Sequence, residues 1–103
     1  MLIQTETTPN PAALKFLPGQ AVMANGTRDF ATPEEAEASP LAEAIFSTGE
    51  VEGVFFGREF ISVTAAPGVD WHQLKPLVLE VLLDHFARGA PLFRPGRAGG
   101  VGV

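Results

Sequence analysis

Apolar positions in this chain switch between period two and a helical period, and the switches mark its elements. Leu2 to Glu6 alternates weakly, and Ala13 to Leu17 sets Leu14 and Phe16 on one face with Lys15 on the other, as half-buried strands do. Between them, Thr8-Pro9-Asn10-Pro11 cannot be helical: each proline fixes φ, removes a donor and biases the residue before it away from the α region. It predicts a rigid link between two strands. Pro18-Gly19 ends the second strand.

Residues 20–38 show no clean period. Val22-Met23 could continue a sheet, Phe30 anchors a polar loop, and Thr32-Pro33-Glu34-Glu35 has cap, N1 proline and a glutamate three positions on, predicting a short acidic helical turn. Ser39-Pro40 repeats that grammar and opens a firmer helix with Leu41, Ala42, Ile45 and Phe46 on one stripe, stopped by Gly49.

Val51 to Thr64 then returns to period two. Two β-rich runs meet at Gly57-Arg58, the Gly-X form of a two-residue type II′ turn. In that register Val54 faces Ile61 and Phe55 faces Phe60. One face carries Val54, Phe56, Ile61 and Val63; the other carries Phe55 and Phe60 with Gly53, Ser62 and Thr64.

Pro67-Gly68 breaks the hairpin, and Asp70-Trp71-His72-Gln73 reads as a capping box opening a helix from Trp71 to Arg88, with Gly89 as its stop and a bend at Pro76. At about 100° per residue, Trp71, Leu74, Leu77, Val78, Val81, Leu82 and Phe86 share one side. Leu79 and Leu83 widen it. That width has two readings: deep burial between sheet and first helix, or a contribution of Leu79 and Leu83 to a docking surface. The order ββαββα predicts an α+β fold: about four strands in a mostly antiparallel sheet, with two helices packed on one face. Residues 1–89 form the expected domain. Residues 90–103 have the composition of a flexible linker or tail.

Composition removes whole classes of chemistry. The chain has 103 residues, 46% hydrophobic and 18% charged, which suits one globular domain. It has no cysteine, so disulfides, thiolate catalysis and cysteinyl metal sites are excluded. A net charge of −5 with seven scattered Lys and Arg argues against a nucleic-acid surface. No window nears the apolar length of a membrane-spanning helix, and the N-terminus lacks the pattern of a secretory signal. Asn25-Gly26-Thr27 fits a glycosylation sequon but reads more simply as a turn.

Side chains suited to catalysis or metal binding are few. His72 and His85 project to nearly opposite sides of one helix and cannot share a metal. His85 reads as a packed imidazole, hydrogen-bonded locally and favoured by the helix dipole when charged. Ser39, Ser47 and Ser62 are explained as cap, helix surface and strand, so no catalytic triad is proposed. Glu34, Glu35 and Glu37 read as a solvated face. The expectation is a protein that is not an enzyme.

Several blocks, in this order and spacing, carry a resemblance across residues 2–93. They are Ile3-Gln4-Thr5-Glu6 with Thr8-Pro9-Asn10-Pro11; Leu14-Lys15-Phe16-Leu17-Pro18-Gly19; Ser39-Pro40-Leu41-Ala42 with Ile45-Phe46; Gly53-Val54-Phe55-Phe56-Gly57 with Phe60-Ile61-Ser62-Val63-Thr64; and Asp70-Trp71 with Leu74-Lys75-Pro76. Together they resemble the N-terminal domain of Nfu (NifU-like) iron–sulfur scaffold proteins. The resemblance implies a small α+β module beside a C-terminal domain whose Cys-X-X-Cys pairs, one from each of two subunits, hold a [4Fe–4S] cluster for client apoproteins. That C-terminal domain is absent here, so no cofactor is expected in this segment, and residues 90–103 are expected to lead toward it.

The expected role is therefore accessory: a module for protein interaction in iron–sulfur cluster assembly, with client apoproteins or assembly factors as partners and neither nucleic acid nor membrane. Its candidate surface is Phe55, Phe60, Leu79 and Leu83. The alternatives are a structural module that stabilises or regulates the scaffold, or a small ligand-binding domain unrelated to clusters. The expected location is the bacterial cytoplasm, with a mitochondrial homologue as the other possibility.

Overall fold

The computed structural model describes residues 2–93. Its elements run β1 (Gln4–Thr7), β2 (Ala13–Leu17), β3 (Arg28–Phe30), α1 (Pro33–Ala36), α2 (Pro40–Phe46), β4 (Val51–Phe56), β5 (Ile61–Ala65) and α3 (Trp71–Arg88). The strands form one antiparallel sheet in the order β1-β2-β5-β4-β3. Two hairpins thus join through their inner strands, β2 and β5. The α+β class holds. A fifth strand, β3, extends the sheet at its β4 edge, inside the stretch where the sequence shows no period. Three residues are too few for an alternation to be recognised.

Fully buried Phe16, Phe30, Val54, Phe56, Ile61 and Val63 share one face of the sheet with Leu41, Ala42 and Ile45 of α2 and Leu74, Val78 and Leu82 of α3. Phe30 and Phe56 meet edge-on at 5.1 Å between centroids. The helix starts follow the expected grammar. Thr32 Oγ1 accepts from the Glu35 amide at 3.1 Å while the Glu35 carboxylate accepts from the Ala31 amide. Buried Ser39 accepts from Ala42, Asp70 accepts from His72, and Gly89 ends α3 at φ +65°.

The hairpin register differs from the expected one. Phe56 pairs with Ile61, Phe55 with Ser62 and Val54 with Val63, so each partner lies two residues later than expected. The turn centres on Arg58-Glu59 and is closed by a hydrogen bond from the Gly57 amide to the Phe60 carbonyl at 2.9 Å. Gly57 lacks the positive φ that a type II′ turn requires there. Its glycine is needed for another reason: a Cβ at that position would overlap the Phe60 ring. A shift of two preserves side-chain parity, so the face assignments survive the change of register.

The Thr-Pro-Asn-Pro segment is a closed turn. Thr8 Oγ1 donates to the Asn10 carbonyl at 2.8 Å, Asn10 Oδ1 accepts from the Ala12 amide at 3.0 Å, and the Ala13 amide donates to the Asn10 carbonyl at 2.9 Å. The Ala12 carbonyl then accepts from Trp71 Nε1 at 2.9 Å and from the Ala65 amide at 2.8 Å. Trp71 also packs on Phe16 at 6.0 Å. The opening motif and the start of α3 are therefore tied at one carbonyl. Trp71→Phe should keep the ring contact and lose one hydrogen bond, costing about 1 kcal/mol, read as a lowered denaturation midpoint with unchanged slope.

On α3, Leu74, Val78, Leu82 and His85 form the buried line. Leu79 is half-buried against the core, whereas Leu77 and Leu83 are 43% and 41% exposed. Leu77, expected on the buried side, sits at its margin. Beyond Gly89, Leu92 and Phe93 pack against the core, with Phe93 near Phe56 and the Arg28 guanidinium lying over both Phe30 and Phe93. The packed body therefore passes the boundary expected at 89. The rest of the expected linker, 94–103, lies outside the described residues.

Candidate interaction surfaces

Alternation along β2, β4 and β5 sends Lys15, Phe55 and Ser62 to the sheet face opposite the helices. In register, Glu6, Lys15, Ser62, Phe55 and Asp29 form one row across all five strands. The Phe60 ring fills the space above Gly57, lies 5.9 Å from Phe55 at 31°, and carries Lys15 Nζ 4.3 Å above its centroid. Both rings are half-buried. This face thus presents a small aromatic platform with one cation on it and acidic residues at either end of the adjoining row.

Leu79 and Leu83 do not join that platform. They belong to α3, which packs on the other face, so the expected four-residue surface divides into an aromatic patch and a helical one. A third feature lies in the helical layer. Between α2 and α3 runs a groove of about 530 Å³ whose walls include Ala44, Ser47, Leu77, Glu80, Val81 and Asp84. A smaller hollow of about 220 Å³ adjoins it, sharing Ala44, Val81 and Asp84 and adding Leu41, His85 and Arg88. On the α2 side its wall is built of short side chains, Ala44 and the capping Ser47, which mark no groove until α3 packs beside them.

His85 is 9% exposed and stands edge-on to Phe86 at 5.0 Å. Contrary to expectation, its ring makes no hydrogen bond to another described residue, and its nitrogens are not sealed from solvent. Burial lowers its pKa from the ordinary 6.5, and the nearby Asp84 carboxylate opposes that shift more weakly. Asp84 and Arg88, ion-paired at 3.2 Å, line the same hollow. The unfolded chain takes up a proton at His85 more readily than the folded one, so acid favours unfolding. Stability should fall as pH drops from about 6.5 toward the folded-state pKa. His85→Gln should remove that part of the slope in denaturant titrations across pH.

The chain lacks the thiolates that a [4Fe–4S] cluster needs, and among the described residues no three His, Asp or Glu side chains are grouped to hold a metal ion. His72 pairs with Asp70 at 3.3 Å on the surface, away from His85. Among the described residues no helix is long and apolar enough to cross a membrane.

Comparison with known proteins agrees with this architecture. The chain is 45% identical over 98 residues to NifU-like protein 5, mitochondrial, of Arabidopsis thaliana, an alignment covering 95% of this chain and 36% of that protein. It is 48% identical over 93 residues to the human NFU1 iron-sulfur cluster scaffold homolog, mitochondrial, covering 89% of this chain and 37% of that one. The chain thus spans about a third of the length of these relatives. A solution structure of a NifU-like protein from Saccharomyces cerevisiae superposes with a TM-score of 0.79 at 28% identity, covering 91% of this chain and 85% of that one. Residues 3–89 match the family described as scaffold protein Nfu/NifU N terminal, and the chain belongs to that family.

Proposed function

We propose that this domain is a non-catalytic accessory module of an iron–sulfur scaffold, acting in cluster assembly by binding client apoproteins or assembly factors. The cluster itself, a [4Fe–4S] group on a C-terminal Cys-X-X-Cys, belongs to a part of the scaffold outside this chain. One observation carries the reading: the sheet face away from the helices holds the Phe55–Phe60 platform with Lys15 above it, while the opposite face holds the core. Aromatic side chains, Phe among them, are enriched in the cores of protein interfaces. A tethered docking module raises the effective concentration of a client without supplying chemistry. The mitochondrial names of the relatives support the mitochondrial alternative for location.

A structural role is the second reading, favoured by the way Phe60 fills the space over Gly57 and braces the hairpin. Phe55→Ser with Phe60→Ser separates the two. On the docking reading the double variant stays folded and captures client apoprotein at least about tenfold more weakly. Loss of cooperative unfolding would instead assign the rings to structure.

A further inference from the structure

We infer that the outer edge of β1 is a strand-addition site, taking an extended segment of a partner protein that carries a carboxylate toward α3. This rests on the reading of the domain as a docking module but uses the sheet edge, not the Phe55–Phe60 platform. The hydrogen-bond phase of the sheet fixes which groups are free. The Ala65 amide donates to the Ala12 carbonyl at 2.8 Å. Alternation from that bond turns the backbone of Leu14 and Phe16 toward β5 and that of Lys15 and Leu17 toward β1. Their partners Glu6 and Gln4 are therefore bonded to β2, and Thr5 and Thr7 aim their N–H and C=O groups away from the sheet. Among the described residues no hydrogen bond reaches those outer groups.

Proteins blunt such edges with proline, lysine or bulges, and Gln4–Thr7 contains none of these. Pro9 falls just beyond the strand. At the other edge of the sheet, the same alternation taken from the Gly57–Phe60 bond leaves only Asp29 of β3 facing outward. Free donors and acceptors at β spacing are matched by another extended backbone. A helix does not match them, because its own backbone groups bond internally.

Side chains specify the added strand further. Thr5 pairs with fully buried Phe16, so a residue placed opposite Thr5 or Thr7 lies on the helix face of the sheet. There it meets a hollow of about 250 Å³ lined by Thr5, Thr7, Leu14, Trp71, His72 and Lys75. Lys75 is half-buried and makes no ion pair among the described residues. No carboxylate of the described residues lines the hollow, and Asp70 at the start of α3 is engaged by the amide and ring of His72. A carboxylate on the added strand supplies the partner that Lys75 lacks. A second copy of this chain does not: the backbone of its Glu6 faces its own β2, so its outward positions bring Thr5 and Thr7 instead.

The test is shift mapping on the ¹⁵N-labelled chain with a short Thr/Gln peptide bearing one central Glu. One control has Lys in place of that Glu. The other is N-methylated at the Glu and at alternate residues beside it, the positions whose amides meet β1. Amide shifts should move at Thr5, Thr7, Leu14 and Lys75, and solvent exchange of the Thr5 and Thr7 amides should slow, with the unmodified Glu peptide only. Thr5→Pro removes an outward donor and no bond to β2, at an edge position that tolerates proline. It should weaken binding by about tenfold, and the N-methylated control tests the same bond without relying on that variant. Lys75→Glu should reverse the preference, favouring the Lys peptide. Absent shifts along β1, equal binding of either control, or an unreversed preference in Lys75→Glu would overturn the inference. Dimerisation through β1 without peptide would overturn it in favour of a second copy. Shifts confined to Phe55 and Phe60 would overturn it while leaving the docking reading intact. Binding at β1 with normal client capture by the Phe55/Phe60 variant would uphold it and remove that platform.

Discussion

Phe56→Ala should destabilise the domain by about 3–5 kcal/mol, while Phe55→Ala, one residue earlier on the same strand, should cost about 1 kcal/mol. Phe56 is fully buried, meets Phe30 edge-on, and lies near Phe93. Removing its ring takes away burial and leaves a cavity that neighbours on two strands cannot close. Against a total stability of about 5–15 kcal/mol, such a loss is a large fraction of the whole and lowers the denaturation midpoint accordingly. Phe55 points to the other face and is half-buried, so truncation exposes its neighbours to water that already reaches them. Equilibrium denaturation of the two variants measures the difference. Similar costs would mean that the face assignment along β4 is wrong.

What the sequence made legible follows from the range of the signals. Periodicity and caps are local, and they located β1, β2, β4, β5, α2 and α3 to within about two residues at each end. Thr32 and Ser39 accept from the third residue as their side chains promised, whereas Asp70 caps α3 through the His72 amide and not through the expected box with Gln73. Facing also follows from parity, so Phe55 and Phe60 fall together on one side as expected.

Long-range information was not there to read. The pairing of β2 with β5 brings together segments far apart in sequence, and no local pattern encodes it. The hairpin register was misplaced by two because Gly57 looked like a turn glycine, while the close approach of a ring explains it instead. The sheet placed between them separates Phe55 and Phe60 from Leu79 and Leu83. The channel beside Ala44 arises only when two helices meet, so neither helix alone announces it.

The second large effect concerns the scaffold as a whole. Removing this domain from a full-length member of the family should slow cluster transfer to a client apoprotein at low client concentration by at least about tenfold, because tethered docking acts through effective concentration. The same deletion should leave cluster binding unchanged, since this chain has no cysteine to contribute. At saturating client the two rates should converge, as a docking aid becomes superfluous once the client is abundant.

The transfer rate as a function of client concentration, compared between intact and domain-deleted scaffold, therefore tests the docking account most directly. The account predicts a deficit at low client concentration that disappears at high concentration. Equal rates at every concentration, with only a lower melting temperature in the deleted scaffold, would contradict it and assign the domain a structural role.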